Sequence, residues 1–305
     1  MPELPEVEVV CQGLAPLVLK RKILSVSFSN KRLRKPFPRA KMYRHVEGAF
    51  ILGVERRAKY ILLRLTGKAV MLFHLGMTGK IGLFAREIPR RKHDHLRFLL
   101  DNGKEMRFND VRRFGCVEVY SEKELRENDP FAGLGVEPFS EDFSADYLLK
   151  KARGKRQPVK SFLMDNGVVV GLGNIYANET LFAACTHPQT PVNRLLKMDW
   201  QLIVKKSRHI LKKAIAMGGS TISDYENVSG EAGYFQLELT VYGRQGQPCL
   251  RCGQAIERSV VGGRATFCCP FCQKYGGNGV FFFGCVYFPF TQARSGCIKV
   301  IFVTP

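Results

Sequence analysis

The spacing of apolar residues changes once along this chain, and that change restricts the fold more than any other feature. From about Ile23 to Tyr120, apolar and polar residues alternate with the period of two that sends side chains to opposite faces of a strand. From Ser144 to Gly218 the pattern is largely helical. Within the first stretch, Tyr60–Leu65 and Ala69–Leu75 read as strands, and His95–Leu100 and Lys104–Phe108 flank Asn102-Gly103, a hairpin signal. Ahead of it, Leu4, Val7, Cys11 and Leu14 recur at helical spacing, predicting a helix that ends near Pro16. Glu122–Pro138, with its charges, Pro and Gly, reads as a linker. In the helical half, Asp199 is the expected N-cap of a helix over Trp200–Met217, stopped by Gly218-Gly219. At 305 residues there is room for two cores. The expectation from the pattern alone is an α+β multidomain chain, a β-rich layer with the N-terminal helix packed on it, followed by a largely helical region.

Charge narrows the partner. Lys and Arg number 47 against 27 acids, a net charge of +20, and no acid stands between Glu8 and Glu47. A folded chain this basic points to a polyanion, and nucleic acid is favoured over a purely solubilising face. No basic amphipathic helix or lipidation signal suggests a membrane surface, and no run of apolar residues is long enough to span one. The first twenty residues carry three prolines and three glutamates, unlike a secretory signal. Ten cysteines are therefore expected as thiols or metal ligands rather than disulfides.

Cys249-x2-Cys252 and Cys269-x2-Cys272 are separated by sixteen residues, the spacing of a four-cysteine zinc ribbon. Four thiolates close the coordination sphere of one structural zinc ion. Cys268 competes by position, but only Cys269 leaves two residues before Cys272. Between the knuckles a hairpin turns at Gly262-Gly263 and presents Arg264, a guanidinium suited to phosphate.

The N-terminus carries the chemistry. Loss of Met1 from Met1-Pro2-Glu3-Leu4-Pro5-Glu6 would leave Pro2 as a free secondary amine, a nucleophile at neutral pH able to form an iminium with a sugar carbon. Glu3 and Glu6 stand within about a turn of it, suited to proton transfer. The alternative is a plain helix start, with Pro and Glu in the first turn. Further on, Met164–Phe182 reads as a helix, two tight turns at Gly167 and Gly171–Gly173, and a helix opening at Asn174 or Ile175. Free N–H groups at that helix start are expected to face a phosphate, with Asn174 adding a donor.

From Pro2 to about Lys274 these residues together resemble the bacterial formamidopyrimidine-DNA glycosylases. The resemblance is carried by Pro2–Glu8, Arg56-Arg-Ala-Lys-Tyr60, His74-Leu-Gly-Met-Thr-Gly79, Asn109–Gly115, Gly171–Ala177 and the four cysteines. Leu4 stands where the related endonuclease VIII branch usually has Gly, favouring the purine-specific branch. The resemblance implies an enzyme of base excision repair that removes oxidised purines, 8-oxoguanine and formamidopyrimidines, through a Schiff base on Pro2 and then cuts the strand by β,δ-elimination. Glu3 would protonate the deoxyribose ring oxygen, Glu6 would support proton transfer, and Lys59 and Arg264 would contact phosphate and act in the eliminations. Met77, Arg112 and Phe114 would fill the space left by a flipped base, and His93, Lys160, Asn174 and Arg264 would grip the DNA backbone. The implied layout is a β-sandwich catalytic domain (1–130), a helix-two-turn-helix domain with a lesion loop at Gly218–Gly233 (131–235), a zinc finger (236–275) and an atypical, dispensable extension (276–305). A monomer acting on damaged double-stranded DNA in the bacterial cytoplasm, at the nucleoid, is expected. Two other readings stay open, a silent damaged-DNA binder and an endonuclease VIII-type enzyme for oxidised pyrimidines. Ala58 and Val111 depart from the family, which usually has Gly and often Pro at those positions.

Overall fold

The computed structural model describes residues 2–219 and 239–276. Most of the expected lesion loop and nearly all of the extension lie outside those residues.

The alternating stretch folds into two four-stranded antiparallel sheets. One has the order β1 (Ile23–Phe28), β6 (Asp94–Leu100), β7 (Lys104–Asp110), β5 (Gly79–Ala85). The other runs β2 (Ile51–Arg57), β3 (Tyr60–Leu65), β4 (Ala69–His74), β8 (Cys116–Ser121). Inward-facing Ile61, Leu63 and Phe73 of one sheet and Phe98, Met106 and Phe108 of the other share a core, so the strands that the period of two predicts stack as the sandwich that the resemblance implies. Helix α1 (Leu4–Val18) lays Val7, Val10, Cys11, Leu14 and Val18 into the same core, and the short α2 (Arg39–His45) adds Met42.

Three boundaries differ from the sequence expectation. Helix α1 does not stop at Pro16 but continues through it to Val18. A proline in the last turn forfeits one hydrogen bond, and Val18, with 0% exposure, repays it by burial. Part of the supposed linker is a helix, α3 (Glu122–Glu127), capped by Ser121, whose hydroxyl accepts from Glu124 N. Asp199 is not an N-cap. The long helix α7 (Lys197–Ala216) starts earlier, and Asp199 in its first turn reaches back to accept from Leu196 N at 2.8 Å.

A second core joins α4 (Ala145–Ala152), α5 (Val159–Leu163), α6 (Asn174–Ala183) and α7 around Phe162, Tyr176 and Trp200. The ribbon hairpin, β9 (Glu257–Val261) and β10 (Arg264–Cys268), has its own small core of Phe182, Val241, Ile256 and Phe267. Helix α1 packs against both β2 and α7, which puts the chain's first residues in the cleft between sandwich and helical domain.

Candidate active site and DNA-contact turns

The first turn of α1 is driven into the start of α6. The buried Glu3 carboxylate accepts from Gly173 N (2.8 Å), Ile175 N (2.9 Å) and Tyr176 N (3.3 Å). The α6 N-terminus therefore binds a carboxylate of its own chain, not a phosphate as its sequence suggests. The two glycines of this turn serve the same end. A Cβ at Gly173 would lie 2.3 Å from Glu3 Cδ, and one at Gly171, whose φ is +85°, would lie 2.6 Å from Leu4 Cβ. Close approach is what the glycines allow, but the approaching group is protein.

Glu6 is equally fixed. One carboxylate oxygen accepts from Glu3 N at 2.8 Å and the other from the Tyr176 hydroxyl at 2.7 Å. Gly219, just past α7, packs on Glu6. Burial raises the Glu3 carboxyl above the usual carboxylate range, opposed by the Lys59 charge and reinforced by Glu6. Lys59 is lowered, by burial first and then by Arg264, while Glu3 and Glu6 pull it back up. The Lys59 amine thus lies within electrostatic reach of two acids and a guanidinium, and half-buried Pro2 directly precedes the first of those acids.

Lys59 sits on the β2–β3 turn after Ala58, which has φ +53°. A carboxylate from the other domain holds this turn. Glu137 accepts from Ala58 N, Arg57 Nη1 and Arg56 Nη1, each at 2.7 Å. Arg56 also donates to Glu8 at 2.7 Å and to Ala58 O at 3.0 Å. Burial pushes Glu137 up, but Arg56, the Ala58 amide and Arg57 outweigh it and hold the carboxyl below its ordinary range.

Arg264 stands exposed at the hairpin tip, and the residues next to it are anchored from below. Lys160, expected on a DNA phosphate, is fully buried in this structure, donating to Ala265 O (2.9 Å) and Thr266 Oγ1 (2.7 Å). Burial and the Arg264 charge bring its ammonium down to about 8. An ammonium deprived of water must find oxygens, and the β10 backbone supplies them. Asn174 Nδ2 donates to the same Ala265 carbonyl at 3.0 Å, while its Oδ1 is buried without a hydrogen-bond partner.

Met77, Arg112 and Phe114 project from two adjacent turns at the sandwich edge, with Met77 38% and Phe114 45% exposed. The Arg112 guanidinium lies 4.8 Å from the Phe114 ring centre. His93, half-buried, precedes β6, its ring 6.0 Å from that of His95.

The four cysteine sulfurs lie within 4.8 Å of one another, and among the described residues this is the one His/Cys/Asp/Glu cluster fit for a metal ion. Cys249 to Cys272 is 3.9 Å and Cys252 to Cys269 is 3.4 Å, close to the sulfur separation of about 3.8 Å that a tetrahedron with 2.3 Å zinc–sulfur bonds requires. Amides of Arg251 and Cys272 point at Cys249 and Cys269 Sγ, as in thiolate knuckles. Cys268 faces the other way, 3.7 Å from His187 Nε2, and burial pushes its thiol up to about 11. The residues fit one structural zinc ion held by Cys249, Cys252, Cys269 and Cys272.

Tyr176, Glu137 and Glu179 escaped the sequence reading. Glu179 on α6 accepts from Val241 N and Tyr242 N, both at 2.9 Å, fixing the chain's entry to the ribbon. The one charged residue in α6 was the available signal for it.

Site and fold together are those of a base-excising DNA glycosylase with a zinc ribbon. Residues 1–117 match the formamidopyrimidine-DNA glycosylase N-terminal domain, residues 134–226 its H2TH domain, and residues 246–274 the zinc finger found in FPG and IleRS. The chain is 43% identical to the formamidopyrimidine-DNA glycosylase of Hahella chejuensis and 44% identical to that of Laribacter hongkongensis, each over 90% of this chain and 100% of the relative. Among solved structures, it superposes with a TM-score of 0.82 at 35% identity on a Lactococcus lactis FPG mutant bound to Fapy-dG-containing DNA, covering 90% of this chain and 100% of that one. A MutM complex with carbocyclic 8-oxo-G-containing DNA gives 0.81 at 35% identity, with the same coverage of both chains. The chain belongs to the formamidopyrimidine-DNA glycosylase family, enzymes of base excision repair with glycosylase and AP lyase activity. Among the described residues no helix is long and apolar enough to cross a membrane.

Proposed function

We propose that this protein excises oxidised purines, 8-oxoguanine and formamidopyrimidines, from duplex DNA and cleaves the strand at the same site. The observation that supports the reading is the electrostatic coupling of Lys59 to Glu3, Glu6 and Arg264, with Glu3 and Glu6 in the helix turn that directly follows Pro2. With Met1 removed, the Pro2 nitrogen attacks C1′ of the flipped nucleotide and the base leaves with the glycosidic electron pair. Glu3, raised by burial, is suited to hand a proton to the ring oxygen as the sugar opens to an iminium on Pro2. The iminium acidifies C2′, so loss of that proton expels the 3′ phosphate, and a second elimination expels the 5′ phosphate. Glu6, fixed by Tyr176, relays protons, and Lys59 and Arg264 neutralise the departing phosphates. The zinc ion holds the ribbon that carries Arg264 and supplies no chemistry to these steps.

Met77, Arg112 and Phe114 fill the stack where the base was, and His93 and Asn174 engage the backbone. We assign the catalytic domain to residues 1–130, the helix-two-turn-helix domain to 131–235, the finger to 236–275 and an extension to 276–305. The working form is a monomer on damaged DNA at the bacterial nucleoid.

The test is strand incision on end-labelled duplexes carrying 8-oxoguanine opposite cytosine, or thymine glycol. A one-nucleotide gap with phosphate at both ends, formed faster at 8-oxoguanine, is the expected result. Preference for thymine glycol would install the endonuclease VIII-type reading, and binding without incision would install the silent binder.

A further inference from the structure

The two turns bearing Met77 and Phe114 have exposed side chains, so packing of those side chains does not hold the turns in place. Backbone bonds such as Gly79 N to Leu75 O at 2.8 Å close the first turn, and one buried carboxylate ties the two turns together. Asp110, 0% exposed at the end of β7, accepts from the Thr78 hydroxyl through Oδ1 at 2.6 Å and from Gly115 N through Oδ2 at 2.8 Å. Thr78 follows Met77 and Gly115 follows Phe114, so each oxygen of one side chain grips one turn. Thr78 Oγ1 in turn accepts from Arg112 N at 3.0 Å, closing the loop from the second turn back to the first. The backbone of Asp110 ties in the rest of the edge, its amide donating to His93 O at 3.1 Å and its carbonyl lying 3.0 Å from His95 Nε2. The turns also touch backbone to backbone, since a Cβ at Gly76 would lie 2.5 Å from Gly115 N.

We infer that Thr78 and Asp110 are positioning residues that lock the Met77 and Arg112–Phe114 turns into one rigid wedge, and so set how well the enzyme opens a duplex, without touching the covalent chemistry. The inference rests on the wedge reading proposed above. Unstacking a base costs a few kcal/mol, and a wedge that yields under that load does not deliver it. A hydroxyl–carboxylate bond is short and strong, and a hydrogen-bonded carboxylate in the protein interior keeps both turns in register.

The experiment compares wild type, Thr78→Val, Thr78→Ser and, as reference, Phe114→Ala. Two reactions are followed: single-turnover release of 8-oxoguanine from a duplex, and borohydride trapping on a single-stranded abasic oligonucleotide, which has no stack to open. Thr78→Val keeps the side-chain shape and loses the hydroxyl. It is expected to slow release from the duplex by about tenfold or more, to trap on the single strand like wild type, and to be rescued by Thr78→Ser. A Thr78→Val enzyme as fast as wild type on the duplex, while Phe114→Ala is slow, would overturn the inference and leave the wedge standing. Equal loss in both reactions overturns it too, since that is general damage. A fast Phe114→Ala enzyme brings down the wedge reading and the inference with it. Asp110→Asn, which sets an amide against Gly115 N or the Thr78 hydroxyl, is the second variant and is expected to follow Thr78→Val.

Discussion

Gly173→Ala adds one methyl group and no backbone strain, because Gly173 has φ −115° and ψ −157°, open to any residue. The new Cβ would stand 2.3 Å from Glu3 Cδ and 2.4 Å from Oε1, whereas carbon atoms settle at about 3.5–4.0 Å. Glu3 must retreat by more than about 1 Å, which breaks its bonds to Gly173 N and Ile175 N at 2.8 and 2.9 Å. Hydrogen bonds to a charged group contribute roughly 1.5–3 kcal/mol each, so roughly 3–6 kcal/mol of local stability is at stake. A reacting group displaced by about 1 Å costs roughly a hundredfold in rate. The assay is incision of 8-oxoguanine duplex under single turnover, beside thermal unfolding, with Gly167→Ala as control. Gly167 lies on the same helix-two-turn-helix segment, and its added Cβ meets nothing closer than Asp165 Oδ1 at 3.3 Å. The expected result is a Gly173→Ala enzyme about a hundredfold slower, with Tm lowered by roughly 10 °C, and a nearly unaffected Gly167→Ala. Gly173→Ala with wild-type rate and Tm would refute the idea that this glycine exists to seat Glu3.

Ala58→Gly relieves the positive φ before Lys59 and, after the extra chain entropy of glycine, should stabilise by about 0.5–1 kcal/mol in denaturant unfolding. Glu137→Ala strips the Lys59 turn of its cross-domain carboxylate and should cost about 1–3 kcal/mol, with incision slowed more than DNA binding. The His74 imidazole is lowered to about 4 by burial and by Arg34 and Lys59. Its depressed value makes it contribute stability above the unfolded value near 6.5, lost as pH falls toward 4, and NMR titration of its ring should show no charging at pH 6. Stripping the zinc ion with a chelator should unfold the ribbon, displace Arg264 and abolish incision, restored on adding zinc.

Local signals in the sequence carried much of this protein. Alternation over Ile23–Tyr120 announced the strands, and the two Cys-x2-Cys pairs announced the metal ligands, because each pattern is set by neighbours in sequence. Contacts between distant residues were not legible. Nothing near Gly173 says that its crowding neighbour is Glu3, 170 positions away. Nothing near Lys160 in the sequence says that its ammonium donates to the β10 backbone, 105 positions away. Helix α1 ran through Pro16 because Val18 had a core to enter, a tertiary gain that local rules do not count. Ala58, a departure from the family glycine, proved to occupy the conformation that glycine favours, which the residue type alone signals only weakly.

The central claim is that the amine of Pro2 forms the covalent bond to DNA. Borohydride reduction during reaction with a duplex carrying 8-oxoguanine opposite cytosine, followed by mass spectrometry of the digested adduct, tests it directly. The account predicts a protein lacking Met1 with the reduced sugar remnant on the Pro2 nitrogen. An adduct on Lys59 or another lysine, or none while DNA remains bound, would contradict it.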